Sequence, residues 1–261
     1  MLKRKYIKPV VIFSLVLVLL VCMVGCVGSE DTASSSRPSD GRLVCLFFDD
    51  AYWNQYQMAF PVLLKHDFKA TFGVITGHIG LGHDLWEYMD ERELSVLAEN
   101  GMTIASHTKT HPYLTDNLTD EQLREEIIES KEHLESLGFE VDTFIYPYYK
   151  WDDNTGRYVK DAGYTCARAG WSEDGSYNLS IQQPDLRYHF PAWQITDQKF
   201  DEFKTIIDKA GSNRVVSLVY HFITDDGPEG LATPVENFRE QMSYLKKNNF
   251  TVVLMADLLG Q

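Results

Sequence analysis

From residue 42 onward the chain alternates short β-rich apolar runs with stretches of helical periodicity, and this alternation limits the fold more than any other feature. The runs are "RLVCLFF", "KATFGVI", "MTIAS", "DTFIYP", "YTCAR", "RVVSLVY" and "TVVLM". Strands that are separated by helices form βα units around a parallel sheet. Seven such strands suit an α/β barrel better than a two-layer sandwich, and no internal repeat is present. The clearest helix is "TDEQLREEIIESKEHLESLG". Thr119 and Gln122 make a capping box, Leu123, Ile127, Ile128, Leu134 and Leu137 form an apolar stripe, and Gly138 supplies the stop. Its acidic run reads as a solvated face.

In a parallel barrel the C-terminal ends of the strands converge on one face, where such folds keep their active sites. The polar residues of interest fall at those ends: Asp49 and Asp50 after "LVCLFF", His107 and His111 after "MTIAS", Tyr148 after "TFIYP", and His221 after "RVVSLVY". Two adjacent carboxylates repel unless a cation lies between them or one has a task that needs a perturbed group. Two histidines four apart in "SHTKTHP", in a loop or a first helical turn, can aim both rings at one point. With one Asp they make a two-His, one-carboxylate set, suited to Zn²⁺ or another first-row divalent ion. The second Asp is then free to act as a general base. His66, His78, His83, His133 and His189 show no metal partner in the sequence.

These segments resemble the polysaccharide deacetylases of the NodB-homology type, carbohydrate esterase family 4. The likeness runs from about residue 42 to 259, through "FFDDA", "SHTKTHP", "YPY" at 146 to 148 and "VYH" at 219 to 221. It implies a distorted (β/α)7-type TIM-like barrel that removes N-acetyl or O-acetyl groups from amino sugars of a cell-wall or extracellular polysaccharide. It further implies a divalent metal on Asp50, His107 and His111, most simply Zn²⁺, with Co²⁺, Ni²⁺ or Fe²⁺ as substitutes. Asp49 would be the base, His221 the acid, and the Tyr148 N–H a donor to the oxyanion. Tyr148, Trp171 and Arg168 would face the substrate. The sequence departs from the family at Ala51, where Gly is common, and in a fourth motif only loosely matched by "CARAGWSEDG". It also has Ile145 where the family's third motif usually carries an Arg that braces the base. Arg168, ending the next strand, is expected to take over that work. The rival readings are a hydrolase of a non-sugar amide on the same fold, a non-haem Fe(II) oxygenase, and a weakly active sugar-binding protein.

Lys3, Arg4, Lys5 and Lys8 precede "VVIFSLVLVLLVCMVG", which has no charge. This is the layout of a secretory signal, and the run falls short of the ~20 residues of a spanning helix, so a transmembrane anchor is the second choice. "MVGC" at 23 to 26 resembles the lipobox of prokaryotic lipoproteins, in which the Cys becomes the lipidated first residue. The expected organisation is a signal over 1–25, a flexible tether over 26–41 rich in Ser, Gly and Pro, and a catalytic domain over 42–261. The protein would then be extracytoplasmic, held to the membrane by lipid on Cys26, and monomeric. Loss of the four basic residues takes the net charge from -14 to -18. That balance excludes nucleic acid and anionic surfaces, which need a basic face. Cys45 and Cys166 sit in apolar runs and read as buried thiols or, as the alternative, one disulfide.

Overall fold

The computed structural model describes residues 41–82, 84–170, 187–208 and 215–259. The signal, the tether through residue 40, Cys26 and Trp171 lie outside the described residues. The sheet strands are β1 (Arg42–Phe48), β2 (Thr71–Val74), β3 (Thr103–Ser106), β4 (Thr143–Ile145), β5 (Cys166–Arg168), β6 (Trp193–Gln194), β7 (Val215–Tyr220) and β10 (Phe250–Val252). Two short strands, β8 (Phe222–Ile223) and β9 (Ala232–Thr233), pair beside them. Helices α1 (Phe60–His66), α2 (Glu91–Glu99), α3 (Asp120–Arg124), α4 (Ser130–Ser136), α5 (Asp153–Asp161), α6 (Phe200–Ile207), α7 (Val235–Lys247) and α8 (Met255–Leu259) fill the connections.

Every strand pair is parallel, in the order β5-β4-β3-β2-β1-β7-β6. Phe190 bridges Arg168 of β5, and Trp193 pairs with Leu218 of β7. Residues 190–194 therefore carry the curled sheet from one edge to the other, and the fold is the α/β barrel of seven staves. The seventh stave is not "TVVLM": Phe250–Val252 instead pairs with Arg42–Val44, beside the start of β1, on the side where β2 joins its end. A two-residue strand such as β6 is too short to show a period, so its place went unseen in the sequence.

β1 is buried on both sides, which explains its unbroken apolar run. Val44, Leu46 and Phe48 pack in the cluster that includes helix residues such as Leu63, Leu94 and Phe238, while Leu43, Cys45 and Phe47 pack with Ile145, Cys166 and α8. Each such side chain contributes about 1.5–3 kcal/mol on burial. Cys45 and Cys166 are free, buried thiols. Capping boxes start α2 (Asp90 with Glu93), α3 (Thr119 with Gln122) and α5 (Asp152 with Thr155). The long helix expected after Thr119 is interrupted by a π-helical turn at Glu125–Glu129, and Glu126 of the acidic run is buried rather than solvated. The wider turn rotates Glu126 and Ser130 inward alongside the apolar stripe.

Candidate active site

The strands bring the expected residues to one end of the barrel. Asp49 and Asp50 follow β1, His107 follows β3, Tyr148 lies just past β4, Arg168 ends β5 and His221 follows β7. Backbone bonds continue the sheet to these points, with the Asp49 N–H on the Tyr220 carbonyl and the His107 N–H on that of Val74, both at 2.9 Å. Gln55, in a second π-helical turn at Gln55–Ala59, donates from Nε2 to the carbonyls of Asp49 (2.5 Å) and His221 (2.7 Å). This buried amide ties the ends of β1 and β7 together; nothing in its local sequence pattern marks it.

His107 Nδ1 lies 2.8 Å from the Ile145 carbonyl oxygen. A carbonyl only accepts, so Nδ1 carries the proton and Nε2 presents its lone pair. That Nε2 is 3.1 Å from His111 Nε2 and 3.5 Å from Asp50 Oδ1, and His111 Nε2 is 3.5 Å from the same oxygen. Asp50 Oδ1 is buried and has no hydrogen-bond partner among the described residues. The three ligand atoms lie within 4.8 Å of one another. An orphaned carboxylate oxygen facing two imidazole nitrogens, with one tautomer already locked by a carbonyl, fits a divalent cation. Burial, followed by the neighbouring His107, pushes His111 down to about 4. Burial opposes ionisation of Asp50, but His107, His221 and His111 outweigh it and hold its carboxyl well below the usual carboxylate range. A neutral imidazole and a charged carboxylate are the states that ligate a metal.

Asp49 is 2 % exposed and meets Arg168, 0 % exposed, whose Nη2 lies 2.6 Å from Oδ1 and 2.5 Å from Oδ2. The guanidinium also packs 5.0 Å from the Tyr149 ring centroid and 5.7 Å from that of Phe47. Asp49 Oδ2 is 3.8 Å from His221 Nε2 and 4.0 Å from His107 Nε2. Arg168 was expected to face substrate as well as to brace Asp49. Fully buried, it offers a substrate no surface, so the first expectation is corrected.

The loops that carry these groups are strained. Nine non-glycine residues have positive φ among the described residues, and six belong here: Asp50 (71°), Ala51 (56°), Thr108 (66°), His111 (62°), Tyr148 (53°) and Tyr149 (62°). Each left-handed residue costs about 1–2 kcal/mol, and such strain persists where the surroundings over-determine it. The site opens into a cleft of about 440 Å³ whose walls include Trp86, Tyr88, His78 and Tyr148. Tyr148 stands edge-on to His111 at 4.6 Å and stacks on Tyr113 at 3.8 Å. His78, given no metal partner from the sequence, and Tyr88 reach the cleft because the turns after β2 fold over it.

The profile of the polysaccharide deacetylase family matches residues 36–167. The chain belongs to this family. YxkH of Bacillus subtilis (strain 168), named as a polysaccharide deacetylase, is 33 % identical over 129 residues, which are 49 % of this chain and 44 % of that one. The poly-beta-1,6-N-acetyl-D-glucosamine N-deacetylase of Staphylococcus aureus (strain MRSA252) is 24 % identical over 176 residues, 61 % of this chain and 57 % of that one. The chain spans about half the length of the curated relatives it matches. Among solved structures, "T48 deacetylase with substrate" aligns with a TM-score of 0.56 at 17 % identity, covering 84 % of this chain and 92 % of that one, which shows the shared fold.

In this member of the family the position of the usual motif-three Arg is Ile145, whose side chain is buried inside the barrel and whose carbonyl accepts from His107. The cation against Asp49 comes instead from Arg168, one strand further on.

Proposed function

We propose that the protein is a divalent-cation-dependent N-deacetylase of an amino-sugar polymer. One observation carries this reading: Asp50 Oδ1, His107 Nε2 and His111 Nε2 converge at the cleft with Asp49 beside them. A divalent cation held by those three, Zn²⁺ by the preference of the donor set, would polarise the substrate carbonyl and the attacking water. Asp49, oriented by Arg168, takes the proton from that water. The Tyr148 N–H donates to the oxyanion, and His221 returns a proton to the leaving nitrogen. The exposed rings of Trp86, Tyr113 and Tyr148 offer flat apolar faces to sugar rings. Trp171 belongs to the same expectation.

The name of the staphylococcal relative supports β-1,6-linked N-acetylglucosamine polymer as the substrate class. The basic, apolar and lipobox-like order of residues 1–26 supports an extracytoplasmic protein anchored through Cys26. The decisive experiment is acetate release by the Zn²⁺-loaded protein from that polymer, from chitooligosaccharides and from peptidoglycan. Release from at least one, abolished in His107→Ala, is expected. No release from any of the three would overturn the reading.

A further inference from the structure

The loop between the two histidines is gripped from both sides. On one side, the N–H groups of Thr76 and Gly77 donate to the carbonyls of Thr108 (3.0 Å) and Lys109 (2.8 Å). The approach is so close that a Cβ on Gly77 would stand 2.6 Å from the Lys109 oxygen. On the other side, the Glu126 carboxylate reaches out of the π-helical turn. Its Oε2 accepts from the backbone N–H of Lys109 (2.9 Å) and of Thr110 (2.8 Å), and its Oε1 accepts from the Thr110 hydroxyl (2.6 Å). One turn on, Ser130 Oγ meets Ser106 Oγ at 2.7 Å, next to His107. Within the loop, Thr108 and His111 both hold positive φ, and the His111 N–H donates to Thr108 Oγ1 at 3.0 Å.

A loop with two strained residues does not hold two imidazoles 3.1 Å apart by local preference. It needs outside partners, and Glu126 supplies three of them from a buried position. A π-helical turn is rare and collects at functional sites; here it is the device that aims this carboxylate inward.

We propose that Glu126 is a positioning residue for the metal centre, holding the 108–110 loop so that His107 and His111 present both Nε2 atoms to one cation. The inference rests on the ligand set proposed above. Residues that orient ligands typically change metal affinity about 10- to 100-fold when removed.

The test is Zn²⁺ affinity of the whole chain by competition with a chromophoric chelator, with circular dichroism and Tm recorded on the metal-free forms. Glu126→Ala removes all three bonds, and Glu126→Asp keeps the charge but withdraws it by about one methylene; both are expected to weaken Zn²⁺ about 10- to 100-fold. Glu126→Gln can accept both N–H groups on its amide oxygen and donate to Thr110 Oγ1, so it should stay within about threefold of wild type. Should Glu126→Ala not fold, Glu126→Asp carries the comparison. A purely structural role lowers Tm and leaves the affinity of the folded variants unchanged. Wild-type affinity in folded Glu126→Asp, or Glu126→Gln as weak as Glu126→Ala, would overturn the proposal. Wild-type affinity in His111→Ala would instead bring down the ligand set itself, a separate failure.

Discussion

Arg168→Met tests the pairing on which the site's charge balance depends. Met keeps an unbranched stem but leaves Asp49, 2 % exposed, with no guanidinium against either oxygen. Two unit charges about 4 Å apart at an effective dielectric near 20 attract by about 4 kcal/mol. Removing one partner of a buried pair costs about 3–5 kcal/mol, because the other is left uncompensated. That is a fifth or more of the ~5–15 kcal/mol that holds such a domain together. Adding Asp49→Asn removes the stranded charge, so the double variant should lose at least about 2 kcal/mol less than the sum of the single losses. Arg168→Lys, which restores a point charge without the fork, should fall between Met and wild type. Urea unfolding of the metal-free wild type, both single variants and the double, followed by far-UV circular dichroism, measures the cycle. Losses that add to within about 0.5 kcal/mol would refute the reasoning, since uncoupled residues behave that way.

The two aspartates should separate by assay: Asp49→Asn keeps bound metal while turnover falls by ~10² to 10⁴, whereas Asp50→Asn loses metal; metal analysis showing the reverse would exchange their roles. His111 predicts a pH dependence of the metal-free fold. Its value in the folded protein, about 4 against an ordinary 6.5, means that the folded state binds fewer protons between those limits. Stability is full above pH 6.5 and lost as pH falls, by up to about 3 kcal/mol near pH 4, and His111→Gln should flatten that slope in urea titrations. An unchanged slope in the variant would assign the effect to other groups. Expressed with its leader, the protein should partition with membranes and Cys26→Ser should not; mass spectrometry finding an unmodified Cys26 in the mature wild type would refute the anchor.

The barrel was legible in the sequence because its signal is local. Parallel strands covered on both faces must be apolar throughout, and β1 runs from Arg42 to Phe48 as its sequence outlines. The polar groups then had to sit where each apolar run stops, which is how Asp49, Asp50, His107, Tyr148 and His221 could be singled out. The tertiary structure decided the contacts made across the barrel. The strand order raised the Arg168–Asp49 pairing as an expectation, but the two are 119 residues apart and only the curvature of the sheet brings their side chains into contact. Residues 190–194 close the barrel although two paired residues of β6 carry no periodicity. Glu126 reads as part of a solvated helix face, and Gln55 carries no mark in its local sequence, until a π-helical turn sets each one inward onto a site loop. Sequence spacing encodes which face of a regular element is apolar; it does not encode one inserted residue in a helical turn, or which strand end the next one meets when a sheet curls shut.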